Sequence, residues 1–275
     1  MAADEPIRSR SNPLYQRLRA RKERGGAGGP CLLEGPKLLL EALAADLELV
    51  EAAAGPRAEA TPAGRAALAE LQRRRVPLRR MSDRLLESLS EAETSQGLVA
   101  LARRPAFDEE RLFRGTPLLL VADGVQNPGN LGGLLRTAEA AGATGAYLSE
   151  GCADPCSWKA LRGSMGSAFR LPQVRGLATE AILERLRARD VAVLATDTHG
   201  ETRFDQADLR GPVALVVGAE GAGLGAAVLD QAAGRLRIPL APPVESLNVG
   251  VAAALVLYEA ARQRGFAGAS VLAIG

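Results

Sequence analysis

Apolar and polar positions along this chain fall into two alternating kinds of block. Short continuous apolar runs, such as Leu118–Leu119–Leu120–Val121–Ala122, have the length and flanks of buried strands. Between them, apolar residues recur every third or fourth position, the period of an amphipathic helix. From residue 118 onward the pattern predicts strands at 118–122, 146–148, 191–195, 212–217 and 237–240. Helices are predicted at 131–141, 157–166, 179–189, 226–231 and 249–264. Strands that alternate with helices imply a parallel sheet covered on both faces, an α/β fold.

The first third of the chain repeats the alternation on a smaller scale. Helices are expected at 12–23, 37–45 and 61–74, and one more from Ser82; strands are expected at 31–33, 47–53, 76–81 and 97–102. Pro13 and Pro62 suit first helical turns, and Thr61 and Ser82 are expected N-caps. Residues 31–102 thus read as a small α/β/α layer. Pro105, a charged run and Gly115 mark residues 103–116 as a linker. The expected organisation is an N-terminal domain at 1–102, a linker at 103–116 and a second domain at 117–275.

Composition changes the picture only locally. At 275 residues the chain suits two domains, and its net charge of +2 announces no nucleic acid. The basic residues are clustered, however. Arg8, Arg10, Arg17, Arg19, Arg21, Lys22 and Arg24 crowd the N-terminus, and Arg73, Arg74, Arg75, Arg79 and Arg80 form a second group. Such patches suit a phosphate backbone; solvated helix faces are the alternative. Cys31, Cys152 and Cys156 form no CxxC pair, and His199 is the single histidine, in a loop and with no assigned role. A metal site is therefore not expected, and the thiols are expected to be reduced in the cytoplasm. The charged start does not read as a signal peptide, and no apolar run reaches the ~18 residues of a membrane span.

Three segments carry the candidate chemistry. Asn127–Pro128–Gly129–Asn130 leads through Gly132 and Gly133 to Arg136. Gly218–Ala219–Glu220–Gly221 follows a predicted strand and runs on to Gly223. Glu245–Ser246–Leu247–Asn248 opens the last helix. Each has a plain structural reading: Asn130, Ser246 or Asn248 as N-caps, Gly218 and Gly221 as turn glycines, Glu220 as a solvated turn residue, Arg136 as a surface arginine. In the order and spacing found here, they closely resemble the three motifs of the SpoU (TrmH-like) RNA ribose 2′-O-methyltransferases, over roughly residues 115–265. The N-terminal third resembles the ribosomal-protein-like accessory domain of the ribosomal-RNA members.

The resemblance implies a parallel-sheet domain with a C-terminal trefoil knot (SPOUT type) that binds S-adenosyl-L-methionine. By the same resemblance, the main chain at Gly218, Ile238, Leu240 and Leu247 holds the cofactor, and Asn130, Arg136, Glu220, Ser246 and Asn248 form the catalytic set. The family arginine is assigned to activating the ribose hydroxyl. A guanidinium stays protonated, so orienting phosphate and stabilising developing negative charge is the sounder role for Arg136. Family members form homodimers through motif three and the last helix. Val251, Leu255, Val256 and Tyr258 give that helix more apolar surface than one face needs, although a fully buried core helix is the alternative. The Arg-rich N-terminus, the Gly35–Lys37 turn and the Ser164–Met165–Gly166–Ser167 stretch are expected to face RNA. The implied function is ribose 2′-O-methylation of RNA, ribosomal rather than transfer RNA because of the extra domain. The alternatives are a transfer-RNA methylase and a non-catalytic RNA-binding protein that keeps the fold. A Rossmann oxidoreductase lacks its GxGxxG.

Overall fold

The computed structural model describes residues 5–23, 28–221 and 223–267. Arg24, counted in the N-terminal basic cluster, lies outside them. The chain forms two compact units, one of Met1–Ala106 with Asp154–Arg170, the other of Phe107–Ala153 with Leu171–Gly275.

The first unit contains α1 (Pro13–Glu23), β1 (Cys31–Glu34), α2 (Pro36–Ala44), β2 (Leu49–Ala54), α3 (Pro56–Ala60), α4 (Pro62–Arg73), β3 (Leu78–Arg80), α5 (Asp83–Leu89) and β4 (Leu98–Ala102). Its sheet has the order β1-β4-β2-β3, with β4 antiparallel to both neighbours and β2 parallel to β3. Leu14, Leu18, Leu86 and Val99 are among the buried side chains that join helices to sheet. Thr61 caps α4 by accepting the Gly64 N–H at 3.0 Å. Ser82 occupies the N-cap position of α5 as expected: its carbonyl accepts the Leu85 and Leu86 N–H groups, while its hydroxyl makes no capping bond.

Residues 154–170, far along the chain, belong to this same unit. They form α7 (Trp158–Ser164) and α8 (Ser167–Arg170). Trp158 Nε1 donates to Glu34 Oε2 at 2.6 Å, Arg104 forks onto both oxygens of Asp154, and Arg170 pairs with Glu41. Cys156 is disulfide-bonded to Cys31, 125 residues earlier, with their Cα atoms 5.4 Å apart. The expectation of three reduced thiols is corrected for this pair: the fold closes a distance that sequence spacing could not reveal. Cys152 is free, and burial pushes its thiol up.

The second unit is built on β5 (Leu118–Ala122), α6 (Pro128–Ala140), β6 (Gly145–Ser149), β7 (Gln173–Leu177), α9 (Thr179–Arg187), β8 (Ala192–Thr196), β9 (Thr202–Arg203), β10 (Val213–Val217), α10 (Ala226–Gln231), β11 (Gly234–Arg237) and α11 (Val249–Gln263). Its sheet runs β7-β6-β5-β10-β8-β11-β9, and every pairing is parallel. All five residues of β5 and of β10 are buried, as strands covered on both faces require. A 3₁₀ turn at Glu109–Phe113 sinks Leu112 completely into this core, so part of the expected linker is built into the unit. There, burial first and then the bond to Glu109 push the Tyr147 hydroxyl well above its ordinary range.

The last strand lies at 234–237 rather than 237–240. Its apolar run continues to Leu240, but Pro239 has no N–H to give a ladder. Ile238 and Leu240 instead line a cavity.

Candidate active site

Two helix starts and one strand end bring the site together. Helix α6 begins at Pro128, at a position where a missing N–H costs nothing. Asn127, not Asn130, is its cap: Oδ1 accepts the N–H groups of Gly129 at 2.9 Å and Asn130 at 3.2 Å. That frees the Asn130 side chain, in the first turn, for other work. Helix α11 begins after Asn248, whose Oδ1 accepts from Gly250 at 2.9 Å and Val251 at 3.4 Å. The same residue turns its amide nitrogen outward. Glu220 sits three residues past the end of β10.

These three polar side chains meet. Asn130 Nδ2 donates to Glu220 Oε1 at 2.5 Å. Asn248 Nδ2 donates to the same oxygen at 2.9 Å and to Asn130 Oδ1 at 3.2 Å. Asn248 is therefore both a cap and a network member, and the two readings of it hold together. Glu220 remains exposed while its Oε1 is held by two amides.

Beside the network lies a cavity of about 620 Å³, within the usual range for small-molecule sites. All four expected cofactor residues line it: Gly218, Ile238, Leu240 and Leu247. Glu220, Ser246 and Asn248 line it too, together with Thr196, Asp197 and Thr198 at the end of β8. Gly218 is required by the backbone, since a Cβ there would run into Gly223. Sequence reasoning missed the β8 contribution; the polar triplet Thr196–Asp197–Thr198 at a strand's carboxyl end was the available signal.

Arg136 is placed differently. It is exposed on α6, does not line the cavity, and has no hydrogen bond or ion pair among the described residues. Six residues past Asn130, it stands about 9 Å further along the helix axis and on another side of it. Glu245 is exposed and is likewise absent from the cavity lining. On α11, Val251, Leu255 and Tyr258 are 49%, 39% and 46% exposed whereas Val256 is buried. The helix thus has an inner apolar face and an outer one at i, i+4, i+7 spacing, and is not a fully buried core helix.

In the first unit, much of the basic excess is matched by acids. Arg17 pairs with Glu51, Arg73 and Arg74 with Glu70, and Arg80 with Glu59. Arg8, Arg10, Lys37, Arg75 and Arg84 are exposed and form no ion pair among the described residues. Among the described residues no helix is long and apolar enough to cross a membrane, and no group of three His, Cys, Asp or Glu side chains is arranged to hold a metal.

Residues 117–258 match the model of the SpoU rRNA Methylase family, and residues 14–100 match the MRM3-like substrate binding domain. The chain belongs to the SpoU rRNA methylase family. It is 35% identical over 266 residues to an uncharacterized tRNA/rRNA methyltransferase, slr1673, of Synechocystis sp., covering 94% of each chain. It is 38% identical over 178 residues to the 23S rRNA (guanosine(2553)-2′-O)-methyltransferase RlmP of Bacillus subtilis, covering 65% of this chain and 70% of that one. The crystal structure of the SpoU methyltransferase AviRb from Streptomyces viridochromogenes, in complex with AdoMet, superposes with a TM-score of 0.82 at 30% identity, covering 94% of this chain and all of the other.

S-adenosylmethionine is the cofactor of this family, and the residues present fit it. The cavity has apolar walls at Leu236, Ile238, Leu240 and Leu247 for an adenine, close-approach backbone at Gly218, and carboxylates at Asp197 and Glu220 for positive charge.

Proposed function

We propose that this protein transfers a methyl group from S-adenosylmethionine to the 2′-hydroxyl of a ribose in ribosomal RNA. The observation that carries this reading is the meeting of Asn130, Glu220 and Asn248, from three separated segments, at the rim of the cofactor cavity. The 23S rRNA methyltransferase among the relatives and the match to a substrate-binding domain support RNA, and ribosomal RNA in particular.

When bound, S-adenosylmethionine supplies an electrophilic methyl on a positively charged sulfur. The chain's own residues act on the other reactant. A ribose hydroxyl is a weak nucleophile, so the site must orient it and favour its developing negative charge. Asn130 and Asn248 hold the Glu220 carboxylate in one place, and that carboxylate can accept from a ribose hydroxyl. Ser246, at the cavity wall, offers a hydroxyl to the substrate. Arg136 steadies the RNA phosphate and the developing charge.

Arg136 does so across a homodimer. Its absence from its own chain's cavity lining and its lack of a partner among the described residues support that reading, as does the exposed apolar stripe of Val251, Leu255 and Tyr258. The N-terminal unit presents Arg8, Arg10, Lys37, Arg75 and Arg84 to the RNA. Family membership supports threading of the chain after Gly218 as a trefoil knot, and a ribosomal-RNA substrate supports a cytoplasmic location. Mapping ribose methylation in ribosomal RNA from cells with and without the gene tests the proposal. One or a few 2′-O-methyl marks should vanish without it; an unchanged map, or loss of a mark in transfer RNA alone, would overturn the ribosomal assignment.

A further inference from the structure

Among the described residues the cavity wall contains two carboxylates, Asp197 and Glu220, and no lysine, arginine or histidine. Glu220 is accounted for by its two amide donors. Asp197 is not part of that network and is the less solvated of the two, its side chain only 14% exposed. Its backbone is fixed at both ends. Its N–H donates to the Leu236 carbonyl at 2.9 Å, and its carbonyl accepts from Gly200 at 3.1 Å. Its Oδ1 accepts the His199 N–H at 2.9 Å.

Neither arginine of β11 is ion-paired to Asp197 among the described residues. Arg235 Nη2 pairs with Asp230 at 3.1 Å, and Arg237 Nη1 donates to the carbonyls of Gly200 and Glu201, both at 2.8 Å. The one ion-pair contact of Asp197 among the described residues is the His199 ring at 3.8 Å, a charge present only when that exposed imidazole is protonated. A mostly buried carboxylate without a permanent counter-ion is costly unless something else brings positive charge.

The two forms of the cofactor differ in this respect. S-adenosylmethionine carries a sulfonium, an ammonium and a carboxylate, for a net charge of +1. After methyl transfer the sulfur is a neutral thioether, and S-adenosylhomocysteine has net charge zero. We infer that Asp197 is a specificity residue that makes the cavity prefer the charged methyl donor over its spent product, so that transfer itself weakens the product's hold. The inference rests on the reading that this cavity holds S-adenosylmethionine.

Asp197→Asn separates this role from a purely structural one. The amide oxygen can still accept the His199 N–H and keep the turn, while the charge is removed. Calorimetry on the full-length wild type and variant, with both S-adenosylmethionine and S-adenosylhomocysteine, reads the effect. The variant should lose about tenfold in affinity for the donor and about threefold or less for the product, a difference of the size Coulomb attraction gives across a partly solvated cavity. Equal loss for both ligands, or no loss for the donor, would overturn the inference while leaving the cofactor reading intact. A wild type that binds neither ligand would end the cofactor reading itself. Should Asp197→Asn fail to fold, Asp197→Ser, which keeps a hydroxyl for the His199 N–H and removes the charge, replaces it: the wild type should prefer the donor, that preference should narrow with added salt, and the variant should lose most of it. A preference indifferent to salt contradicts the inference.

Discussion

Asn248 performs two tasks with one amide: its Oδ1 caps α11 while its Nδ2 donates to Glu220 Oε1 at 2.9 Å. The start of the last helix and the orientation of the acid are therefore set by the same side chain. Substitutions can separate the two. Serine is about as good an N-cap as asparagine, but it has no amide to reach Glu220. Asn248→Ser should keep its thermal midpoint near that of the wild type and lose about 10²-fold in methyl transfer. Asn248→Ala should lose similar activity and, in addition, about 1 kcal/mol of stability in urea unfolding. A fully active Asn248→Ser would remove the amide from the mechanism.

Arg136 is exposed and unpaired among the described residues, so its truncation should scarcely affect the fold. Arg136→Ala is expected to change stability by no more than about 0.5 kcal/mol. Transfer to RNA should fall by about 10²–10³-fold while calorimetric affinity for S-adenosylmethionine stays the same. Mixing Arg136→Ala protomers with Asn248→Ser protomers should restore part of the activity, because one mixed site then has both residues. No recovery on mixing would place Arg136 in its own subunit's site.

The outer face of α11 predicts association. Leu255→Glu puts a charge in the middle of the stripe formed with Val251 and Tyr258. Light scattering should show a dimer for the wild type and a monomer for the variant, with retained helical circular dichroism. A wild type that is monomeric at micromolar concentration contradicts the homodimer.

Glu259, on the same helix, predicts a pH dependence. Hydrogen bonds from Arg262 and Gln263 pull its carboxyl down to about 2, and Gln263 in turn ties the helix to Ala207 and Leu209. A folded pKa below the unfolded one means that the unfolded chain takes up the proton first. The stabilisation is thus complete above about pH 4.3, declines as pH falls towards 2, and is lost below that. The difference in urea midpoint between wild type and Glu259→Gln should shrink across that window. A difference that stays constant with pH contradicts it.

The Cys31–Cys156 bridge predicts a thiol count. Denatured protein prepared without reductant should titrate one thiol, Cys152, and three after reduction. Cys156→Ser should lower stability by about 2–4 kcal/mol under non-reducing conditions. Three thiols before reduction would show the pair to be open.

Much of this architecture was legible because local rules and tertiary structure agree. Continuous apolar runs became β5 and β10, and Thr61 capped α4 as oxygen side chains before apolar-periodic runs do. The failures have identifiable causes. β7 (Gln173–Leu177) lies at a sheet edge, where Arg175 and Gly176 are exposed and no apolar run is needed. β11 was placed three residues late because the apolar run through Ile238 and Leu240 serves a cavity and not a ladder. The membership of residues 154–170 in the N-terminal unit rests on contacts to Cys31, Glu34 and Glu41, more than a hundred residues away, which no local period reports. Deleting residues 1–102 would accordingly strip the partners from Cys156 and Trp158, so charge reversal at Arg8, Arg10 and Lys37 is the cleaner probe of RNA binding.

The site was legible in a different way. Asn130, Glu220 and Asn248 each had an ordinary local explanation, and only the resemblance to three ordered motifs joined them. The structure adds that Asn127 takes the capping role once open to Asn130, which leaves Asn130 for Glu220. The part of Asp197 had no motif to announce it.

The most direct test is transfer of labelled methyl from S-adenosylmethionine to deproteinised ribosomal RNA by the full-length protein, followed by digestion to nucleosides. The account predicts label in a 2′-O-methylated nucleoside, lost when Arg136→Ala or Asn248→Ser replaces the wild type. Label on a base, or no label while S-adenosylmethionine binds, would contradict it.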